Sequence, residues 1–292
     1  MQRKTLCSLQ TVKLRKIKDL FKSSLKDLYD AEELVAISRM VFTEVLNLSP
    51  SELLLNQDEN IKEETQKELI IILERLKQAE PVQYVLRAAW FCDLKFKVNK
   101  HVLIPRPETE ELVRWILEEN KFLTPSILDV GTGSGCIAIA LAKQIKKASV
   151  SAMEISTEAL KVANHNALSH AVEIRFLKDT ILQPMDSSMR YDIIVSNPPY
   201  VMQSEKESIN KHVLDFEPHL ALFVDDNDAL IFYKAIIEFA DSHLHVGGKL
   251  YFEINEAKSQ AVVSLFNKRK FKNVTIKKDM QGKERMVMSV KA

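Results

Sequence analysis

The chain has 292 residues, with 41 Lys and Arg against 40 Asp and Glu and a formal net charge of +1. That length exceeds the usual single domain, so one large domain with a smaller appendage is expected. The balanced charge argues against bulk electrostatic capture of nucleic acid or membrane, and no apolar run reaches bilayer-spanning length.

The first eighteen residues, MQRKTLCSLQTVKLRKIK, are basic and free of acids. They lack the apolar centre of a secretory signal, so residues 1–13 are expected to be a tail. Cys7, Cys92 and Cys136 show no paired or ligand spacing and read as free thiols in a reducing compartment. The expected location is the cytoplasm, with an organelle transit peptide as the alternative.

From Leu14 to Leu76 the pattern is helical. Leu14, Ile17, Phe21, Leu25 and Leu28 step by three or four, as do Leu34, Ile37, Val41, Val45 and Leu48, and then Leu69, Ile72 and Leu76. Asp30 can cap the second helix, and Ser49 before Pro50 can start another. A small helical domain over 14–80 is predicted, with a linker near 78–88. After Pro81 the period becomes two. Leu94, Phe96 and Val98 alternate with Lys95 and Lys97, which predicts a β-hairpin connector over 81–105 with a turn near Asn99 and Lys100.

From Ser126 onward, short apolar runs (SILDV, SVSAME, VEIRFL, YDIIVS, KLYFEI, ERMVMSV) alternate with helical segments. That alternation predicts an α/β domain over 106–292, built on a parallel, doubly wound sheet. Ligands of such sheets bind at the carboxyl ends of the strands, near the switch point.

The first such end carries Gly131, Thr132, Gly133, Ser134 and Gly135 between an apolar strand and an apolar helix. Glycines there let the backbone turn tightly and approach a ligand that a Cβ would exclude. Glu154 closes the next strand, where a carboxylate can accept from both hydroxyls of a ribose. The pair predicts a nucleoside-containing cofactor. The spacing G-T-G-S-G differs from the G-x-G-x-x-G that sets a helix N-terminus on a pyrophosphate, which disfavours a nicotinamide oxidoreductase.

The fourth strand runs into Asn197, Pro198, Pro199 and Tyr200. The Asn197 side-chain oxygen and the Pro198 carbonyl are two convergent acceptors, and the prolines supply no competing N–H. Two acceptors suit a planar NH2 group, whether an amide or an aromatic amine. Its nitrogen is a weak nucleophile, so fixing its orientation can supply most of the acceleration. Tyr200 is expected to pack over the acceptor group and exclude water. An electrophile that is also a nucleoside points to S-adenosylmethionine, with Asp179 and Thr180 placed where an adenine edge would be read.

DVGTGSG, Glu154 and NPPY together resemble class I S-adenosylmethionine-dependent methyltransferases of the amino-group type. That resemblance implies a Rossmann-like, seven-stranded sheet whose last strand is antiparallel. PVQYVL, VLIPRPETEELV, DFEPHLALF and DMQGKERMV are similar to stretches of the HemK/PrmC family, the glutamine methyltransferases of peptide chain release factors, in order from about Leu20 to the end. It implies the following expectations. The acceptor is the glutamine of the Gly-Gly-Gln loop of release factors, and the product is S-adenosylhomocysteine. The helical domain is expected to recognise substrate; apart from the resemblance, the enzyme is expected to work as a monomer, without stable nucleic acid or a membrane. The glycine loop, Glu154, Asp179, Thr180 and Asn197 hold cofactor, Asn197 to Tyr200 hold the glutamine with Asn197, Pro198 and Tyr200 as the catalytic residues, and Arg106 and Glu108 bind substrate over the mouth of the site. Two positions depart from the family pattern: Glu154 stands where aspartate is usual, and EIN at Glu253 to Asn255 where a third glycine is frequent.

Two other readings compete. A nucleic-acid methyltransferase acting on adenine or guanine could use the same fork, but needs basic surface and a target-reading segment. A non-catalytic module that only binds S-adenosylmethionine or docks a partner leaves the intact fork unexplained.

Overall fold

The computed structural model describes residues 12–185, 188–267 and 269–292. The expected tail therefore lies outside the described residues up to residue 11, as does Cys7. The chain divides into two compact units after Arg87.

In the first unit, β1 (Val12–Lys13) leads into α1 (Leu14–Leu25), α2 (Ala31–Leu46) and α3 (Pro50–Leu55), followed by β2 (Asn60–Ile61), α4 (Glu63–Lys77) and α5 (Val82–Leu86). The Asp30 carboxylate accepts from the Glu33 N–H at 2.8 Å, capping α2. Ser49 and Glu52 form a reciprocal capping box at the start of α3, with Pro50 in its first turn. The predicted stripes meet in one core of Leu14, Ile17, Phe21, Leu25, Leu34, Ile37, Val41, Leu69, Ile72 and Leu76, while Leu28 is exposed.

Two features of this unit differ from the expectation of helices followed by a linker. Val12 and Lys13 pair antiparallel with Ile61 and Asn60. Residues 82–86 form α5 because Val82, Tyr84 and Val85 are buried and Arg75 donates to the Tyr84 and Val85 carbonyls.

In the second unit, β3 (Ala88–Phe91) and β4 (Leu94–Lys97) form the hairpin. Its turn is Cys92–Asp93, both at positive φ, and the predicted turn near Asn99 and Lys100 follows β4, where the Val102 N–H donates to the Asn99 carbonyl at 3.1 Å. Two left-handed residues make a two-residue loop of the type that matches strand twist, without the Asn-Gly that would announce it. Then follow α6 (Pro107–Glu119), β5 (Ser126–Val130), α7 (Cys136–Gln144), β6 (Ser149–Glu154), α8 (Thr157–Ser169), β7 (Arg175–Lys178) and β8 (Tyr191–Ser196). Short elements β9 (Val201–Met202), α9 (Lys211–Phe216), α10 (His219–Leu222) and β10 (Phe223–Val224) lead to α11 (Ile231–His243), β11 (Leu244–Glu253), α12 (Ser259–Phe266), β12 (Phe271–Lys278) and β13 (Glu284–Lys291).

The seven-stranded sheet has the order β12-β13-β11-β8-β5-β6-β7. β5, β6, β7, β8 and β11 are parallel, and β13 is antiparallel to both of its neighbours. This is the class I methyltransferase sheet. Ile127 and Ile193 face one core with α6 and α7, and their neighbours Leu128 and Ile194 face a second with α11 and α12. Burial on both faces is why these strands read as continuous apolar runs. β12 escaped the sequence reading because this edge strand has no buried residue and carries three lysines.

Candidate active site

Strand register assembles the site. Val130 of β5 stands beside Ser196 of β8 and Met153 of β6, so Gly131, Asn197 and Glu154 each follow at adjoining strand ends. Glu154 stands beside Lys178, which places Asp179 next in line. On the other side, Phe252 of β11 is opposite Ser196, so Glu253 follows beside Asn197. The chain runs from β5 outward to β7 and then returns to β8 on the other side of β5, which makes this crevice the switch point where open α/β sheets bind ligands.

A cavity of ≈ 270 Å³ occupies that crevice, lined among others by Gly131, Gly133, Glu154, Asp179, Thr180 and Asn197. Gly131 (φ +75°) and Gly133 (φ +55°) are in the left-handed region, and a Cβ at either would meet nothing within 4 Å. They form a cradle open to a ligand. The Glu154 carboxylate accepts from the Gly133 N–H at 3.0 Å and the Ser156 N–H at 2.9 Å. Asp179 accepts from the Thr180 N–H at 2.8 Å and the Met185 N–H at 3.0 Å. Met153, Ile155, Ile181 and Leu182 supply apolar wall. A carboxylate held at a strand end, an open glycine turn and apolar walls fit an adenosine-containing ligand.

Thr132, Ser134 and Gly135 do not line this cavity. Thr132 is buried and donates to Asp129 at 2.5 Å. A Cβ on Gly135 would lie 3.0 Å from Ile139 Cδ1 and 3.2 Å from Ala163 Cβ, so this glycine serves the close packing of α7 on α8. Asn166 of α8 bonds to the Ser134 carbonyl and to both backbone groups of Lys97, fixing the loop from behind. Burial raises the Asp129 carboxyl to about 7, against the lowering by the Thr132 hydroxyl.

Around the fork, Asn197, Pro198 and Pro199 line the cavity, whereas Tyr200, expected to pack over the acceptor group, is not among the lining residues. Asn197 Nδ2 donates to Thr109 Oγ1 at 3.1 Å, and that hydroxyl donates to Glu253 Oε2 at 2.5 Å. The Tyr200 hydroxyl donates to Glu253 Oε1 at 3.3 Å. Glu253 is buried, which raises its carboxyl to about 7 although Thr109 and Arg285 pull it down. Burial, with Glu253 adding to it, pushes the Tyr200 phenol well up.

Arg106 and Glu108 are outside the cavity lining. Arg106 pairs at 2.5 Å with Glu217, whose side chain is 1% exposed and also accepts from the Ile104 N–H at 3.1 Å. That joint brings IPRPETE onto DFEPHLALF, and Leu103, Pro218 and Leu220 on either side of it line the cavity. Thr109, Glu217 and Glu253 were not singled out as site residues from sequence. In sequence Glu253 stands out only as a departure from the family pattern, and its position at a strand end is the available signal. Asp225, Asp226 and Asp228 each have partners within the chain: Asn227, Ser204 and Lys234 respectively.

No helix among the described residues is long and apolar enough to cross a membrane. The family described as "Methyltransferase small domain" matches residues 109–216, and "PrmC N-terminal domain" matches residues 19–86. A release factor glutamine methyltransferase of Flavobacterium psychrophilum is 45% identical over 91% of this chain and 95% of that protein. One from Bacteroides thetaiotaomicron is 41% identical over 94% of this chain and 99% of that protein. The hMettl16 catalytic domain in complex with MAT2A 3'UTR hairpin 6 is similar with a TM-score of 0.54, at 15% identity, over 79% of this chain and 82% of that one, which speaks for the fold alone.

Proposed function

The chain belongs to the release factor glutamine methyltransferase family, and from that premise we propose that it methylates the side-chain amide nitrogen of the glutamine in the Gly-Gly-Gln loop of peptide chain release factors. The observation that carries this reading is the orientation of Asn197. Its NH2 is committed to Thr109, which leaves Oδ1 as an acceptor at a strand end that lines the cavity.

Gly131, Gly133, Glu154, Asp179 and Thr180 would hold S-adenosylmethionine. When bound, it supplies a sulfonium-activated methyl group. Asn197 Oδ1 and the Pro198 carbonyl accept the two hydrogens of the incoming amide and hold its nitrogen in one orientation. They also favour the partly positive nitrogen that develops during attack, an effect worth more in a dry crevice than in water. Pro198 and Pro199 have no N–H to compete for those acceptors. The apolar wall limits access of water.

The test is transfer of radiolabelled methyl to a purified release factor, beside the same factor with its loop glutamine replaced and beside DNA and RNA. Label confined to the glutamine-containing factor is expected, with Asn197→Ala losing turnover while retaining cofactor affinity. Label on nucleic acid alone would overturn the substrate and leave the fold standing.

A further inference from the structure

The fork works only if the Asn197 amide is held one way round. Its two ends are similar in shape, and a flip would point NH2 at the NH2 of the substrate, replacing an attraction by a clash of like dipoles. Something behind the fork must tell oxygen from nitrogen. An obligate acceptor does so.

Thr109 Oγ1 is that acceptor, because its own proton is already committed. The hydroxyl donates to Glu253 Oε2 at 2.5 Å, so only its lone pairs face Asn197 Nδ2 at 3.1 Å. Glu253 in turn receives Thr109 on one oxygen and Tyr200 on the other, an arrangement in which a carboxylate with no proton of its own satisfies both donors. We infer that Thr109 and an ionised Glu253 are positioning residues that fix the Asn197 amide with its oxygen toward the substrate. This rests on the amide-methylation reading of the site.

A Glu253 protonated on Oε2 would donate to the Thr109 oxygen and turn the Thr109 proton toward Asn197. The polarity of the chain would then be lost. The groups facing Glu253 are Thr109 and Glu108 from α6, Tyr200 from the loop after β8, Tyr233 from α11 and Arg285 from β13. Arg285 is the cation among them. It is held by Asp279 at 3.4 Å, which gives the closing DMQGKERMV stretch a place in the same network.

Three measurements test the inference. First, Thr109→Val keeps the shape and removes the hydroxyl. Its kcat is expected to fall about tenfold to hundredfold, as for loss of a bond tied to an ionised partner, with S-adenosylmethionine affinity within about twofold by calorimetry. Thr109→Ser should restore most of the rate. Second, the acid limb of the wild-type kcat profile, with a midpoint near the raised Glu253 value of about 7, should be absent in Glu253→Gln. Third, the Asn197 side-chain NH2 pair, identified in an amide NMR spectrum by its loss in Asn197→Asp, should exchange slowly in wild type and quickly in Thr109→Val. That last readout needs no substrate, so it stands even if the release factor proves to be the wrong acceptor. Wild-type turnover in a folded, cofactor-binding Thr109→Val, or an unchanged NH2 pair, would overturn the inference. So would an acid limb that persists in Glu253→Gln.

Discussion

Replacing Gly133 and Gly135 separately by alanine should divide cofactor binding from stability, although both glycines have positive φ in the same loop. At Gly133 an added Cβ meets no atom within 4 Å, so the folding cost is the left-handed backbone alone, about 1–2 kcal/mol. At Gly135 the same backbone term applies, and the Cβ also lies 3.0 Å from Ile139 Cδ1 and 3.2 Å from Ala163 Cβ. Overpacking of that kind adds about 1–3 kcal/mol. Gly135→Ala should therefore be less stable than Gly133→Ala by about 1–3 kcal/mol. Affinity should run the other way. The open space around Gly133 is the cavity itself, and its N–H holds the Glu154 carboxylate. Gly133→Ala should weaken S-adenosylmethionine binding at least about tenfold, or ~1.4 kcal/mol, and Gly135→Ala much less. Urea unfolding followed by tryptophan fluorescence suits the first comparison, because both tryptophans, Trp90 and Trp115, lie in the second unit and Trp115 is buried. Calorimetry serves the second. Equal stabilities, or wild-type affinity in Gly133→Ala, would refute the division of labour within the loop.

Arg106→Ala strands the Glu217 carboxylate, 1% exposed, with the Ile104 N–H as its remaining named partner. Breaking a buried pair from that side costs about 3–5 kcal/mol. Glu217→Gln should cost less, since Arg106 is one-third exposed and can turn to water; chemical unfolding of the two variants checks the order. A pH series tests the buried carboxyls. Asp129 and Glu253 have folded values raised to about 7 from ordinary values of 3.8 and 4.5. Both bind protons more tightly folded than unfolded, so their contribution to stability is complete below the ordinary values and is lost as pH rises to about 7. Unfolding free energy of Asp129→Asn should fall less steeply between pH 5 and 7 than that of wild type, and parallel curves would contradict the assignment.

What sequence made legible is what sits in one local stretch. GTGSG, Glu154 and NPPY each follow an apolar strand directly, so once the strands were read, the ends of β5, β6 and β8 placed them. The helical stripes of the first unit were equally local, down to the Asp30 and Ser49 caps. Thr109, Glu217 and Glu253 were not legible because their meaning is relational. Thr109 and Glu253 are 144 residues apart, and only the register of β11 on β8 brings Glu253 beside Asn197. A threonine near a helix start reads as an ordinary first-turn residue, and a glutamate at a strand end as a solvated one. The hairpin turn at Cys92–Asp93 carries no glycine or asparagine, and β12 hides its strand character in exposed lysines.

The placement of the perturbed groups bears on the chemistry. Among the described residues, Asp129 and Glu253 are the two carboxyls raised to about 7, and neither lines the cavity. Each lies one layer behind it. Asp129 accepts from Thr132 under the glycine loop, and Glu253 accepts from Thr109 and Tyr200 behind the fork. A general base would have to reach the reacting proton directly or through one water. These carboxyls instead reach only the groups that support the cavity wall. An amide nitrogen needs no proton removed before it attacks, so the useful work of a buried carboxylate here is to fix the polarity of its neighbours. The same burial that makes each carboxylate costly to fold also strengthens the hydrogen bonds it receives. The site therefore trades folding stability for orientation, and the fork presents acceptors whose direction is set before substrate arrives.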